Sequence, residues 1–306
     1  MGVEARPAAA MYDVIIIGGG PAGLSAALIL GRCRRRVLLC DSGEYRNLAA
    51  REMHGFLSRD PIEPAELRAI ARQQLARYGV EVRQVKATAC CRSGSAFEVA
   101  LEGGQRLCAR RLLLATGVVD HLPEIEGARE FYGSGLFHCP YCDGWEVRDQ
   151  PLAVYGRGAS GAGLALSLQT WSRDVVLATD GPAGLKRRES ERLARHAIPV
   201  RQERVARFEG NGRLERIVFA TGESLARSSV FFSTGQHQRS ELLASLGVAF
   251  TRKGTVATGR LEECNVPGVY VAGDASRDVQ LAIVAAAEGA KAGFAINKAL
   301  EREDRE

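Results

Sequence analysis

The stretch Tyr12-Asp13-Val14-Ile15-Ile16-Ile17-Gly18-Gly19-Gly20-Pro21-Ala22-Gly23 decides how the chain is read. Tyr12 to Ile17 is a β-branched apolar run of the kind that forms a buried strand. The glycines follow, and Leu24 to Leu30 then carries a helical pattern. A second apolar run, Val37 to Cys40, ends at Asp41. Strand, glycine turn, helix and strand with a terminal acid form one dinucleotide-binding unit. Gly18 allows the turn, Gly20 lets a pyrophosphate approach the backbone, and Gly23 lets helix and strand pack closely. The helix N-terminus supplies N–H groups and a partial positive charge for phosphates. Asp41 stands where an acid hydrogen-bonds ribose hydroxyls.

The pattern recurs downstream. Leu152 to Tyr155 reads as a strand, and Gly156-Arg157-Gly158-Ala159-Ser160-Gly161 repeats the glycine spacing. Ala162 to Gln169 is helical, and the strand Val175 to Ala178 closes at Thr179-Asp180. Between the two units lies Cys139-Pro140-Tyr141-Cys142-Asp143-Gly144-Trp145. Cys139 and Cys142 are near enough to form a disulfide across one turn. Thiol–disulfide exchange uses such a pair, one thiolate attacking a partner disulfide and the second resolving the mixed disulfide. Asp143 is placed to act as general acid/base for the thiol protons, or to serve as a turn acid before Gly144. A zinc site would want a second Cys or His pair, which is lacking although His138 is adjacent; no metal is expected. His121 and His138 are candidate auxiliary bases, though a single His is more often structural.

Elsewhere, Pro64 to Tyr78 is an amphipathic helix. Val80 to Val85, Ala96 to Leu101 and Arg106 to Leu107 read as short antiparallel strands, with Gly103-Gly104 as a hairpin turn. Arg111 to Ala115 reads as a separate buried strand running into Thr116-Gly117, where small residues permit close approach of a ligand. Arg201 to Val218 reads as a hairpin region turning at Asn211-Gly212, and Ser229 to Ser233 ends at Thr234-Gly235. Val269 to Ala272 leads into Gly273-Asp274 and a long helix, about Gln280 to Leu300.

Composition sets the class. A chain of 306 residues is long enough for two domains, and 46% hydrophobic with 25% charged residues is ordinary for a soluble globular protein. The net charge of +5 is dispersed. Its densest run, Arg32 to Arg36, reads as a solvated helix end rather than a nucleic-acid site. Residues 1–11 read as a disordered leader with no signal peptide, and no run is long enough for a membrane span. The compartment expected is the cytoplasm. There, Cys33, Cys40, Cys90, Cys91, Cys108 and Cys264 read as small buried or half-buried hydrophobes rather than a disulfide framework.

These motifs, in this order, resemble the low-molecular-weight thioredoxin reductases and related two-domain flavoproteins over roughly residues 12–300. The resemblance implies an α/β fold of two Rossmann-like domains. Residues 12–118 and 243–300 would form a discontinuous FAD domain, and residues 119–242 an inserted NAD(P)-type domain carrying the dithiol. Gly18, Gly20, Gly23 and Asp41 would hold the adenosine diphosphate half of FAD, with Thr116 and Gly117 beside it. Gly273, Asp274 and Gln280 would hold the flavin end. Gly156, Gly158, Gly161 and Asp180 would form the second cradle. Cys142 would lie nearest the flavin and Cys139 would meet the substrate, a thioredoxin-like protein or a small-molecule disulfide or dithiol. A homodimer is implied as well.

The chain departs from the family in two places. Members using NADPH carry basic residues after the second strand of the nucleotide domain; here Thr179-Asp180 stands there, which suits the 2′-hydroxyl of NADH and leaves NADPH, NADH or neither open. Lys186, Arg187 and Arg188 follow as a solvated helix start. The bulky Tyr141 and Trp145 resemble relatives that oxidise small dithiols with oxygen, or else pack at a domain junction. The first expectation is therefore an FAD-dependent disulfide reductase, with a dithiol oxidase as alternative and a flavin redox sensor as a third reading. A thioredoxin fold itself would lack the duplicated glycine turn.

Overall fold

The computed structural model describes residues 11–277 and 279–306; the leader expected over residues 1–11 thus falls, but for Met11, outside the described residues. The chain divides into two compact units: 1–48, 56–119 and 237–306 form the first, and 49–55 with 120–236 the second. The chain crosses between them inside two short strands, Val118–Asp120 and Gln236–Gln238, and also at both ends of the segment 49–55.

The first unit is built on a seven-stranded sheet. Tyr12–Ile17 lies at its centre, parallel to Val37–Asp41 on one side and to Arg106–Leu114 on the other. Its burial on both faces accounts for the unbroken apolar run. Val269–Val271 adds a further parallel strand against Leu112 to Leu114. The helix Pro21–Arg32 opens with proline at its first turn, where the missing N–H costs nothing. It packs on the long helix Ala282–Glu303. Gly289 makes that approach possible: a Cβ there would sit 1.9 Å from the Ala22 carbonyl oxygen.

Several expectations are corrected in this unit. Arg106 to Leu107 and Arg111 to Ala115 belong to one nine-residue strand, Arg106–Leu114. Its first half pairs antiparallel with Ala96–Leu101 and its second half parallel with Tyr12–Ile17. The basic residues that interrupt the apolar pattern are held from elsewhere: Arg110 pairs with Asp13, Glu303 and Asp304, and Arg111 with Glu303. Val80 to Val85 is not antiparallel; Glu81–Gln84 is a parallel edge strand beside Val37–Asp41. Finally, Ala87–Ser93, not anticipated, supplies the outer antiparallel strand. It presents Cys90 to the core, and burial pushes that thiol up to about 11. Cys33 and Cys91 are exposed, against the expectation of buried cysteines. The run from Arg32 is not simply solvated: Arg35 pairs with Asp304 at 2.6 Å and Arg36 stacks over Tyr12.

The second unit carries a five-stranded parallel sheet ordered Val200–Arg201, Val175–Ala178, Leu152–Tyr155, Ser229–Phe232 and Leu136–Phe137. The helices Gly158–Leu168 and Arg187–Arg195 flank it. Val205–Gly210 and Leu214–Phe219 form the expected hairpin around Asn211-Gly212, and Ser224–Ala226 extends it to three strands. The α/β architecture with parallel sheets agrees with the expected fold class. Among the described residues, no helix is long and apolar enough to cross a membrane.

Candidate functional site

The dithiol stands on one helical turn, Pro140–Asp143, entered from the short strand Leu136–Phe137. Cys139 and Cys142 form a disulfide with their Cα atoms 5.3 Å apart. Cys142 and Asp143 donate their backbone N–H groups to the Cys139 carbonyl, both at 3.2 Å. Gly144 follows the turn with no room for a side chain: a Cβ there would sit 2.8 Å from the Trp171 indole and 2.5 Å from the Pro140 carbonyl oxygen. Trp171 also meets Tyr141 edge-on at 5.4 Å. Tyr141 and Trp145 remain 73% and 65% exposed, and the Arg148 guanidinium covers one face of Trp145 at 4.0 Å.

Asp143 is half-buried. Burial raises its carboxyl from 3.8 to about 7; His54 opposes the rise and Glu146 adds to it. The His54 Nδ1 is 3.6 Å from a Glu146 carboxylate oxygen. His54 arrives on the segment 49–55, which packs with this unit although the chain on either side belongs to the other. In the sequence it was one residue of a loop, with nothing to connect it to the dithiol. Of the two candidate auxiliary bases, His138 faces the Asp120 carboxylate at 3.7 Å, and Asp120 accepts a hydrogen bond from the Tyr132 hydroxyl at 2.7 Å. His121 is tied through its backbone to Gly235 and Thr234.

The first glycine turn is shaped for close approach. Gly18 adopts φ +117°, and a Cβ there would meet the Ala115 carbonyl oxygen at 2.2 Å. A Cβ on Gly23 would meet the Gly18 carbonyl oxygen at 1.9 Å, whereas one on Gly20 would meet nothing within 4 Å. Asp41, 1% exposed, accepts hydrogen bonds from Tyr45 at 2.6 Å, Arg72 at 2.5 Å and the Gly43 N–H at 3.0 Å. Thr116 is next to the strand end, and its hydroxyl is buried with no partner. Gly117 beside it adopts φ +66°. At the far end, the Gly273 N–H donates to buried Glu288 at 2.9 Å. Arg46 donates to both Asp274 at 2.8 Å and Gln280 at 2.6 Å, joining residues distant in sequence into one cluster. Arg46 had no signal of its own. An orphaned buried hydroxyl, open space above Gly20 and a polar cluster beyond suit a long polyhydroxylated dinucleotide such as FAD.

The second turn is less open. Gly156 and Gly161 also pack too closely for a side chain, and the Ser233 hydroxyl is a buried atom without a partner, placed where a Gly156 Cβ would meet it at 2.2 Å. The Gly158 N–H, however, is bonded to the Ala183 carbonyl at 2.8 Å. The Asp180 carboxylate is also engaged. It accepts the Val205 N–H at 2.8 Å and the Tyr155 hydroxyl at 3.1 Å, with Arg157 at 3.3 Å and Arg204 at 3.7 Å. Two guanidinium groups thus offset its charge, so Asp180 is not the bare acid that would favour NADH over NADPH. Arg187 is 92% exposed and pairs with Glu191 on its own helix, as a solvated helix start should.

Three comparisons bear on this arrangement. A family model described as pyridine nucleotide-disulphide oxidoreductase matches residues 12–289. A probable thioredoxin reductase of Arthroderma benhamiae is 34% identical over 304 residues, covering 87% of this chain and 74% of that one. The thioredoxin reductase tcpT of Claviceps purpurea is 34% identical over 283 residues, covering 86% of each. The crystal structure of HlmI superposes with a TM-score of 0.94 at 39% identity, covering 98% of this chain and 96% of the other. A putative thioredoxin reductase from Bacillus anthracis gives 0.90 at 32%, covering 96% and 99%. Such membership implies use of a flavin and of a nicotinamide nucleotide. The chain belongs to the pyridine nucleotide-disulphide oxidoreductases, as a thioredoxin reductase-like flavoprotein oxidoreductase.

Proposed function

We propose that the chain is an FAD-dependent disulfide oxidoreductase in which Cys142 exchanges electrons with the flavin and Cys139 meets the substrate. The observation that carries the reading is the disulfide on a short turn beside a carboxyl that keeps its proton to about pH 7. FAD, held by Gly18, Gly20, Gly23, Asp41, Thr116 and Gly117 at one end and Gly273, Asp274 and Gln280 at the other, supplies a two-electron store. Two electrons and a proton open the Cys139–Cys142 bond to one thiol and one thiolate. The Cys139 thiolate attacks a substrate disulfide, forming a mixed disulfide and releasing one substrate sulfur, which takes the proton held by Asp143. The Cys142 thiol then gives its proton to the Asp143 carboxylate and attacks Cys139, restoring the internal disulfide and releasing the second substrate sulfur as a thiolate. A thioredoxin-like protein or a small-molecule disulfide fits this chemistry, with NADH or NADPH as ultimate donor and a homodimer as the assembly.

A second reading runs the same steps backwards. A substrate dithiol is closed to a disulfide, its two electrons and two protons reducing oxygen to hydrogen peroxide. The engaged Gly158 N–H of the second cradle and the exposed aromatic pair beside the dithiol favour it. Anaerobic addition of dithiothreitol, NADH or NADPH to the yellow holoenzyme separates the readings. Both require bleaching of the flavin by the dithiol, and its absence sinks the proposal. Bleaching by a nucleotide selects the reductase; oxygen uptake driven by the dithiol alone selects the oxidase.

A further inference from the structure

The two glycine turns serve as controls for each other. Gly19 stands at the middle of the first, where a Cβ would lie 2.1 Å from an Asp41 carboxylate oxygen; no side chain fits between the turn and the strand-end acid. The same position in the second turn is Arg157. Its side chain does not avoid the strand end but binds it. Nε donates to the Thr179 carbonyl at 2.6 Å, and Nη2 donates to the Asp180 carbonyl and contacts the Asp180 carboxylate. The next residue differs in the same sense. Space above Gly20 is open, whereas a Cβ on Gly158 would find the Gly184 carbonyl oxygen at 3.5 Å.

The segment that folds over the turn is anchored along its length. Thr179 donates its hydroxyl to the Gly181 carbonyl at 2.6 Å, the Gly181 N–H donates to Gln202 at 2.9 Å, and the Gly158 N–H is taken by Ala183 at 2.8 Å. A dinucleotide in this type of fold needs the N–H groups of the turn for its pyrophosphate and the strand-end acid for its ribose. Here Ala183 takes the Gly158 N–H and the Arg157 guanidinium lies across the strand end, a side chain for which the first turn has no counterpart.

We infer that Arg157 is a latch that holds the second nucleotide cradle shut, so that NADH or NADPH enters only after the guanidinium leaves the Thr179–Asp180 strand end. The latch concerns admission of the nucleotide and holds for either direction of thiol chemistry. Apparent affinity falls by the fraction of molecules that are open, so a tenfold gain on removing the latch corresponds to shut forms outnumbering open ones by roughly ten to one.

The test is equilibrium binding of ADP-ribose, NADH and NADPH to the FAD holoenzyme, for the native chain, Arg157→Ala and Arg157→Lys. The latch predicts weak binding by the native chain and at least about tenfold tighter binding of all three probes by Arg157→Ala. Arg157→Lys has one point donor in place of a fork and should also bind more tightly than the native chain. Arg157 is half exposed on its side chain, so flavin content and melting temperature are expected to stay native; if Arg157→Ala loses flavin, Arg157→Lys decides. Equal or weaker binding by the variants overturns the latch, as does tight binding by the native chain. Flavin bleaching by dithiothreitol is read separately, so failure of the latch and failure of the proposed redox cycle are told apart.

Discussion

Replacing Asp143 by Asn tests the acid/base assignment through stability as well as turnover. The carboxyl rises from 3.8 to about 7 on folding, with burial as the main cause. Below 3.8 both folded and unfolded chains carry the proton, and no penalty arises. As pH rises the unfolded chain ionises first, so stability falls with pH and levels off above about 7. At about 1.4 kcal/mol for each factor of ten, the native chain bears a cost of up to roughly 4 kcal/mol at pH 8 and roughly 2 kcal/mol at pH 5. Asn keeps the shape and has no proton to lose. Relative to the native chain, Asp143→Asn should therefore gain roughly 2–3 kcal/mol of stability between pH 5 and pH 8. Paired urea titrations of the flavin-loaded proteins at the two pH values measure this. Turnover with a disulfide or dithiol substrate should fall on the order of 10²-fold, as expected when a positioned proton donor is removed. A stability difference that is the same at both pH values would mean that the carboxyl titrates normally, and the reasoning from burial would be wrong.

Cys142→Ser should abolish the thiolate–flavin charge-transfer absorbance of the reduced holoenzyme while Cys139→Ser retains it; the opposite result reverses the assignment of the two thiols. Thr116→Val leaves the packing volume nearly unchanged and removes the orphaned hydroxyl, so the FAD dissociation constant measured by fluorescence should rise about fivefold to tenfold, about 1 kcal/mol, if that hydroxyl bonds the cofactor; unchanged affinity excludes the contact. Glu262 is fully buried and paired with Arg277 and Lys291, so the double variant Arg277→Met with Lys291→Met should cost about 3 kcal/mol in denaturant titration by stranding its charge. A loss below about 1 kcal/mol would show that Glu262 takes up a proton instead.

The parts legible in the sequence are those in which one short segment carries its own geometry. Gly18 to Gly23 and Gly156 to Gly161 each close on themselves, since a Cβ on Gly23 would strike the Gly18 carbonyl and one on Gly161 would strike Gly156. The dithiol is equally local. Where pairing partners are distant, the reading failed. Residues 108–110 read as a break between two strands because two of the acids that hold Arg110, Glu303 and Asp304, lie at the far end of the chain. Glu81–Gln84 was read as antiparallel because nothing within it reveals that Val37–Asp41 is its neighbour.

The same division holds for the candidate site. Which residue types are present, two glycine turns, a Cys-x-x-Cys with an acid and a small-residue strand end, follows from the sequence alone, because each chemistry requires those types at that spacing. Whether a polar group is free to bind a ligand is decided by atoms that only folding brings near. Asp143 becomes a weaker acid because burial and the nearby Glu146 carboxylate outweigh the opposing pull of His54. Asp180, by contrast, becomes a satisfied structural acid because Val205, Tyr155 and Arg157 reach it first. Spacing along the chain specifies the donors and acceptors, and tertiary packing determines which of them remain unspent.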